Sequence, residues 1–77
     1  MQKPIFYHAG CPVCVGAESE LIDLVGIENL EIVHLGEKKE QISAAEDFGV
    51  KSVPALVTSN GHVLHINYGA SLEDVKA

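Results

Sequence analysis

Apolar positions along the chain switch repeatedly between short runs and helical spacing, and those switches predict the elements. Ile5 to His8 is an apolar and aromatic run after Pro4, with Gly10 behind it, and reads as a buried strand ending in a tight turn. From Pro12 the period changes. Cys14, Ala17, Leu21, Leu24 and Val25 fall on one helical face and Glu20 and Asp23 on another, predicting an amphipathic helix. Pro12 suits its first turn, where a missing N–H costs nothing, and Gly26-Ile27 suits a left-handed cap at its end. Leu30 to Leu35 is apolar on both faces, as an internal parallel strand is, and a helix between two such strands implies a right-handed βαβ crossover.

The second half is more polar but keeps its punctuation. Ile42, Ala45 and Phe48 hold a helical spacing within Glu37 to Phe48, and Gly49 supplies a stop. Pro54 opens an apolar run to Val57. Asn60-Gly61 then separates it from Val63 to Tyr68, which predicts a tight antiparallel hairpin. Gly69, Ala70 and Ser71 break the pattern, and Ser71 can cap a last helix carrying Glu73 and Asp74 in its first turn. The predicted order is βαβαββα, an α/β fold.

Composition narrows the picture. With 77 residues the chain is read as one domain, residues 1–77, because so short a chain cannot hold two separate cores. Apolar residues make up 47% and charged ones 21%, a balance that folds compactly. Five lysines against eleven carboxylates give a net charge of −6, which repels nucleic acid and anionic lipid. No apolar run is long enough to span a bilayer, and the opening residues lack the apolar core of a secretory signal, so a cytoplasmic protein is expected, and nothing in the chain demands more than a monomer.

Candidate chemistry centres on Cys11-Pro12-Val13-Cys14. A bridge closing so short a loop removes little unfolded-state entropy, so the pair is read as reactive rather than as a structural staple. Cys11 falls where the first strand hands over to the helix, and a thiol at a helix start faces free N–H groups and the positive end of the macrodipole, which favour its thiolate. Cys14 follows one turn on, at a spacing of ~5–6 Å that lets the sulfurs meet. Cys11 is then the nucleophile on a substrate disulfide and Cys14 resolves the mixed disulfide. Pro12 offers no N–H to the first sulfur, leaving Val13 and Cys14 amides as donors, so Pro12 and Val13 tune the pair.

The CPVC turn between strand and helix, Ser52-Val53-Pro54 before a strand and the Asn60-Gly61 hairpin together resemble the thioredoxin/glutaredoxin superfamily. The stretch Asp47 to Ser71 is similar to the C-terminal half of a thioredoxin. The resemblance implies a four-stranded mixed sheet in order 2-1-3-4, with helices one and three on one face and helix two on the other. It also implies a cis Pro54 against the cysteine pair, with the backbone of Val53 binding an extended substrate chain. Recognition of backbone suits a reductant with several protein clients. Against the thioredoxin pattern, Gly10 stands where a tryptophan precedes the first cysteine, Pro-Val replaces Gly-Pro, and Ile5 holds the place of a buried aspartate. The Cys-Pro start resembles glutaredoxins, whose glutathione-binding Gly-Gly and acidic pair find an echo in Gly69-Ala70 and Glu73-Asp74.

The expectation is therefore a dithiol–disulfide oxidoreductase. It needs no bound cofactor, reduces disulfide-containing proteins, and is recharged by a reductase or by glutathione. Two alternatives stand beside it: a glutathione-dependent glutaredoxin, and a small carrier of Cu(I) or Zn through the same cysteines, with His8 as a third ligand. His8 as a thiol-tuning imidazolium is weighed against a structural strand-end residue, and His34 as a stand-in proton acceptor for Cys14. His62 and His65 have opposite parity and are read as surface residues. Lys51, just before Ser52-Val53-Pro54, is read equally as a positive charge offered to a substrate or to glutathione and as an ordinary loop lysine. Glu18, Glu20, Glu37 and Glu40 are read as solvated helix surface.

Overall fold

The computed structural model describes residues 3–10 and 12–76, with Asn67 and Tyr68 described in their backbone only. The elements are β1 (Ile5–His8), α1 (Pro12–Val25), β2 (Glu31–His34), α2 (Ile42–Phe48), β3 (Ser52–Val57), β4 (Val63–Ser71) and α3 (Leu72–Lys76). Single 3-10 turns, Ile27–Asn29 and Lys39–Gln41, lead into β2 and α2. The strands form one mixed sheet in the order β2-β1-β3-β4. β1 runs parallel to β2 and antiparallel to β3, which pairs antiparallel with β4.

The pleat sorts side chains onto two faces, each with its own apolar cluster. On one face, Phe6 packs with Ala17 of α1 and Leu30, joined by Leu21, Ile22, Ile32 and Leu56. On the other, Tyr7, Val33, Ala55 and Val57 meet Ile42 and Ala45 of α2 and Leu72 of α3. β2 is an edge strand, not an internal one. Its Val33 faces the α2 cluster and its Ile32 the α1 cluster, so helices cover both faces of a strand whose outer edge has no strand neighbour among the described residues.

Helix α3 is also placed differently from the expectation that it shares a face with helix one. Leu72 joins the α2 cluster, Lys76 Nζ lies 2.8 Å from Glu46 of α2, and the Leu72 N–H donates to the Lys51 carbonyl at 3.1 Å. The α2–β3 connection thus draws α3 to its own side. No helix of the described residues shares the other face with α1, which explains why Leu24 and Val25, predicted as core, are 80% and 41% exposed.

Other boundaries shift for local reasons. The second helix begins at Ile42 rather than Glu37, after a turn in which Lys38 N–H donates to the His34 carbonyl, and its Phe48 is partly exposed rather than core. Gly49 closes it in the left-handed conformation, as its position implies (φ 102°, ψ 11°). Gly26 does not: with φ 85° and ψ 140° it lies outside the left-handed helical region and swings the chain into the Ile27–Asn29 turn. The hairpin is looser than a two-residue turn. Thr58 N–H donates to the His62 carbonyl, Gly61 N–H to the Thr58 carbonyl, and Gly61 has φ 87°, which makes Ser59, Asn60 and Gly61 the loop. β4 continues through Gly69 and Ala70 to Ser71, whose Oγ accepts the Asp74 N–H at 3.1 Å and caps α3.

Candidate active site

Three features meet at the C-terminal end of β1. The first is the start of α1 at Pro12, where proline's preset φ suits a first helical turn. Cys11, the expected nucleophile, lies outside the described residues. Pro12 and Val13 are exposed, whereas Cys14 is fully buried and its sulfur is disulfide-bonded. Cys14 belongs to the α2-side cluster with Tyr7, Val53 and Ala55, so the first turn of α1 reaches over the end of the sheet.

The second feature is the Val53–Pro54 bond, which is cis. Both residues are buried. The β1–β3 ladder ends at Tyr7 opposite Ala55, so Val53 and Pro54 extend past the last β1 partner, while Val53 stays paired with Ala70 of β4. Ala55 and Val53, the neighbours of Pro54, share the cluster of Cys14. A shallow depression of about 390 Å³ opens beside them, lined by Ala9, Gly10, Gly36, Lys39, Ala70 and Asp74 with Val75.

The third feature is a histidine cluster that sequence reasoning treated as separate residues. His8, at the end of β1, is only 6% exposed; its ring stacks on Phe6 with centroids 5.5 Å apart and tilts against His34 of β2 at 4.6 Å. Its Nδ1 accepts the Gly10 N–H at 3.3 Å, and its Nε2 lies 3.5 Å from the Glu18 carboxylate of α1. Burial lowers the His8 pKa below its ordinary value, Glu18 opposes the shift, and His34 adds to it. A neutral His8 that accepts at Nδ1 carries its proton on Nε2, facing Glu18. Glu18 is thus not the plain solvated residue expected. His34 accepts the Glu37 N–H at Nδ1 and fits between Gly10 and Gly36, where an added Cβ would come within 2.7 and 2.8 Å of its ring. The signal in sequence was the pair of glycines flanking the register His8 opposite His34, legible only once β1 and β2 are known to be parallel.

The remaining candidates disperse. His62 and His65 are exposed as expected, but His65 accepts the Lys51 N–H at Nε2, 3.2 Å away, and ties β4 to the start of β3. Lys51 is exposed and lines a different hollow, with Glu46, Gly49 and Leu72. Among the described residues no cluster of three or more His, Cys, Asp or Glu is spaced to hold a metal ion, and no helix is long and apolar enough to cross a membrane.

Known proteins place this architecture. The structure superimposes with a TM-score of 0.85 on the solution NMR structure of a dimeric thioredoxin-like protein from Nitrosomonas europea, which is 53% identical over 97% of this chain and 95% of its own. No family model matches the sequence, and no curated protein does. At that identity and coverage the chain belongs to the thioredoxin-like superfamily.

Proposed function

We propose that this protein is a dithiol–disulfide oxidoreductase working through Cys11 and Cys14. The observation that carries the reading is the burial of Cys14 on α1 in one cluster with the residues flanking cis-Pro54. A sulfur in that place is shielded from a client yet one helical turn from position 11, which suits a resolving role. In the forward reaction the Cys11 thiolate attacks one sulfur of a client disulfide, forms a mixed disulfide and expels the other client sulfur as thiolate. Cys14 then attacks the Cys11 sulfur, the protein disulfide closes, and the second client thiol leaves. The client gains two electrons and two protons, and a dithiol donor restores the protein. Val53 and Pro54, unpaired on the β1 side, are the strand-like surface for client backbone.

A second reading, glutathione as the donor, is favoured by the depression beside Gly10. It brings Lys39 and Asp74 to one hollow with Ala70, and a cation and a carboxylate there match the carboxylates and the amine of glutathione. The protein is soluble and cytoplasmic in this proposal, and it needs no bound metal. As the relative is described as dimeric, we extend that state to this chain in place of the monomer expected from sequence.

The test is insulin reduction with dithiothreitol as donor, then with thioredoxin reductase or with glutathione and its reductase. Wild type is expected to accelerate precipitation of the insulin B chain, and Cys11→Ser to abolish the effect. Full activity in that variant would overturn the assignment. Turnover with glutathione that falls on Asp74→Ala supports the second reading; turnover with the reductase alone removes it.

A further inference from the structure

We propose that a second copy of this chain docks on the face formed by α1 and β4, an inference that rests on the dimeric state proposed above. Because α3 lies with α2, α1 is the one helix among the described residues that packs on this face of β4, and it leaves part of the strand exposed. Leu64, directly opposite Leu56 in the ladder, projects to that side with Ile66 two residues on, and they are 53% and 42% exposed. Along α1, Val13, Gly16, Glu20 and Leu24 follow at i, i+3, i+7 and i+11 and form one stripe. Val13, Gly16, Ala17 and Glu20 line a hollow with Ile66, which places that stripe on the β4 side. Four exposed large apolar residues, Val13, Leu24, Leu64 and Ile66, therefore share one surface with small residues between them.

The dimeric state proposed above sets the occupant, a second copy. Two copies carrying −6 each repel, so their contact must be made by uncharged residues, and Val13, Gly16, Leu24, Leu64 and Ile66 are uncharged, with Glu20 the one charged residue among them. Length argues against a client peptide. The stripe runs from Val13 to Leu24, a span of ~16 Å along the helix and away from the cysteine turn. A client held at Val53 and Pro54 has no use for its far end. A helix ridge beside an open edge strand is instead a self-complementary pair of shapes, able to meet its own copy across a twofold axis.

Sedimentation equilibrium over micromolar to millimolar concentrations tests this, with Leu64→Lys and Ile66→Lys as interface variants and Phe48→Lys, an exposed apolar residue of α2, as control. Wild type and Phe48→Lys should dimerise. Either interface variant should raise the dissociation constant ~100-fold or more, since a lysine would be buried unpaired in each half. Salt should tighten the wild-type dimer by screening the like charges. Amide shifts that change on dilution should fall in α1 and β4, which locates the face without any variant. A monomeric wild type, a dimer indifferent to both lysines, or one broken by Phe48→Lys overturns the proposal. So does loss of insulin reduction in the variants with dimerisation intact, which would make the face a client site. Insulin reduction by Cys11→Ser remains a separate readout, so failure of the interface and failure of the redox reading are told apart.

Discussion

Gly10 shows how tightly the turn before the cysteines is determined. It has φ +80°, a region costly for any residue with a Cβ, and that Cβ would lie 2.7 Å from His34 Nε2. Gly10→Ala is expected to cost ~1–3 kcal/mol of stability by urea denaturation. Adding His34→Ala should recover the steric part but not the backbone part, so the two substitutions should couple in a double-mutant cycle. Additive effects would contradict the packing described. His8 gives a second expectation. Its pKa is lowered by folding, so the unfolded chain binds more protons as pH drops below the ordinary value of 6.5. Its contribution to stability is complete above that pH and lost as pH falls toward the folded pKa. Urea midpoints at pH 7.5 and 5.5 should therefore differ less for His8→Gln than for wild type; an equal slope would remove His8 as the source. At this scale the inward-facing Cys14 was legible from helical spacing, and the cis Pro54 from the resemblance. The His8–Glu18–His34 cluster was not, since its members come from β1, α1 and β2 and meet only through the sheet register.

Elements were legible where apolar period and turn chemistry agreed. β1 and α1 have the bounds that Gly10 and Gly26 suggest, and Asn60-Gly61 sits in the β3–β4 connection. The misreadings have a common origin in backbone pairing. Gly69-Ala70-Ser71 looks like a break because its side chains are small, but the pairs Val53 with Ala70 and Ser52 with Ser71 need main-chain groups only. α3 could not be assigned a face from its own five residues; the Leu72–Lys51 hydrogen bond and the Lys76–Glu46 ion pair place it. So short a helix depends on its cap. Ser71→Ala should cost about 1 kcal/mol and speed hydrogen exchange at the Asp74 amide. Unchanged exchange there would mean that packing of Leu72 alone holds the turn.

For the whole molecule, net charge was legible and its distribution was not. The carboxylates occur on every helix, while Lys3, Lys38, Lys39, Lys51 and Lys76 all lie outside α1 and β4. Lys3, Lys39, Lys51 and Lys76 border hollows whose other walls come from α2, α3 or the strand ends beneath them. The sequence shows these charges but not that the sheet gathers them, since they come from the segment before β1, two connections and one helix. It also placed α3 over the surface that is left open, and so gave no reason to expect a partner there.

That one-sided arrangement of amines reaches into chemistry the protein meets by accident or by design. Acylating reagents, lysine-directed dyes and acetyl donors can decorate the α2 flank while leaving the opposite flank bare. A fluorophore introduced through lysines would thus report on one hemisphere of the particle, and tagging it would leave the helix that carries Cys14 untouched.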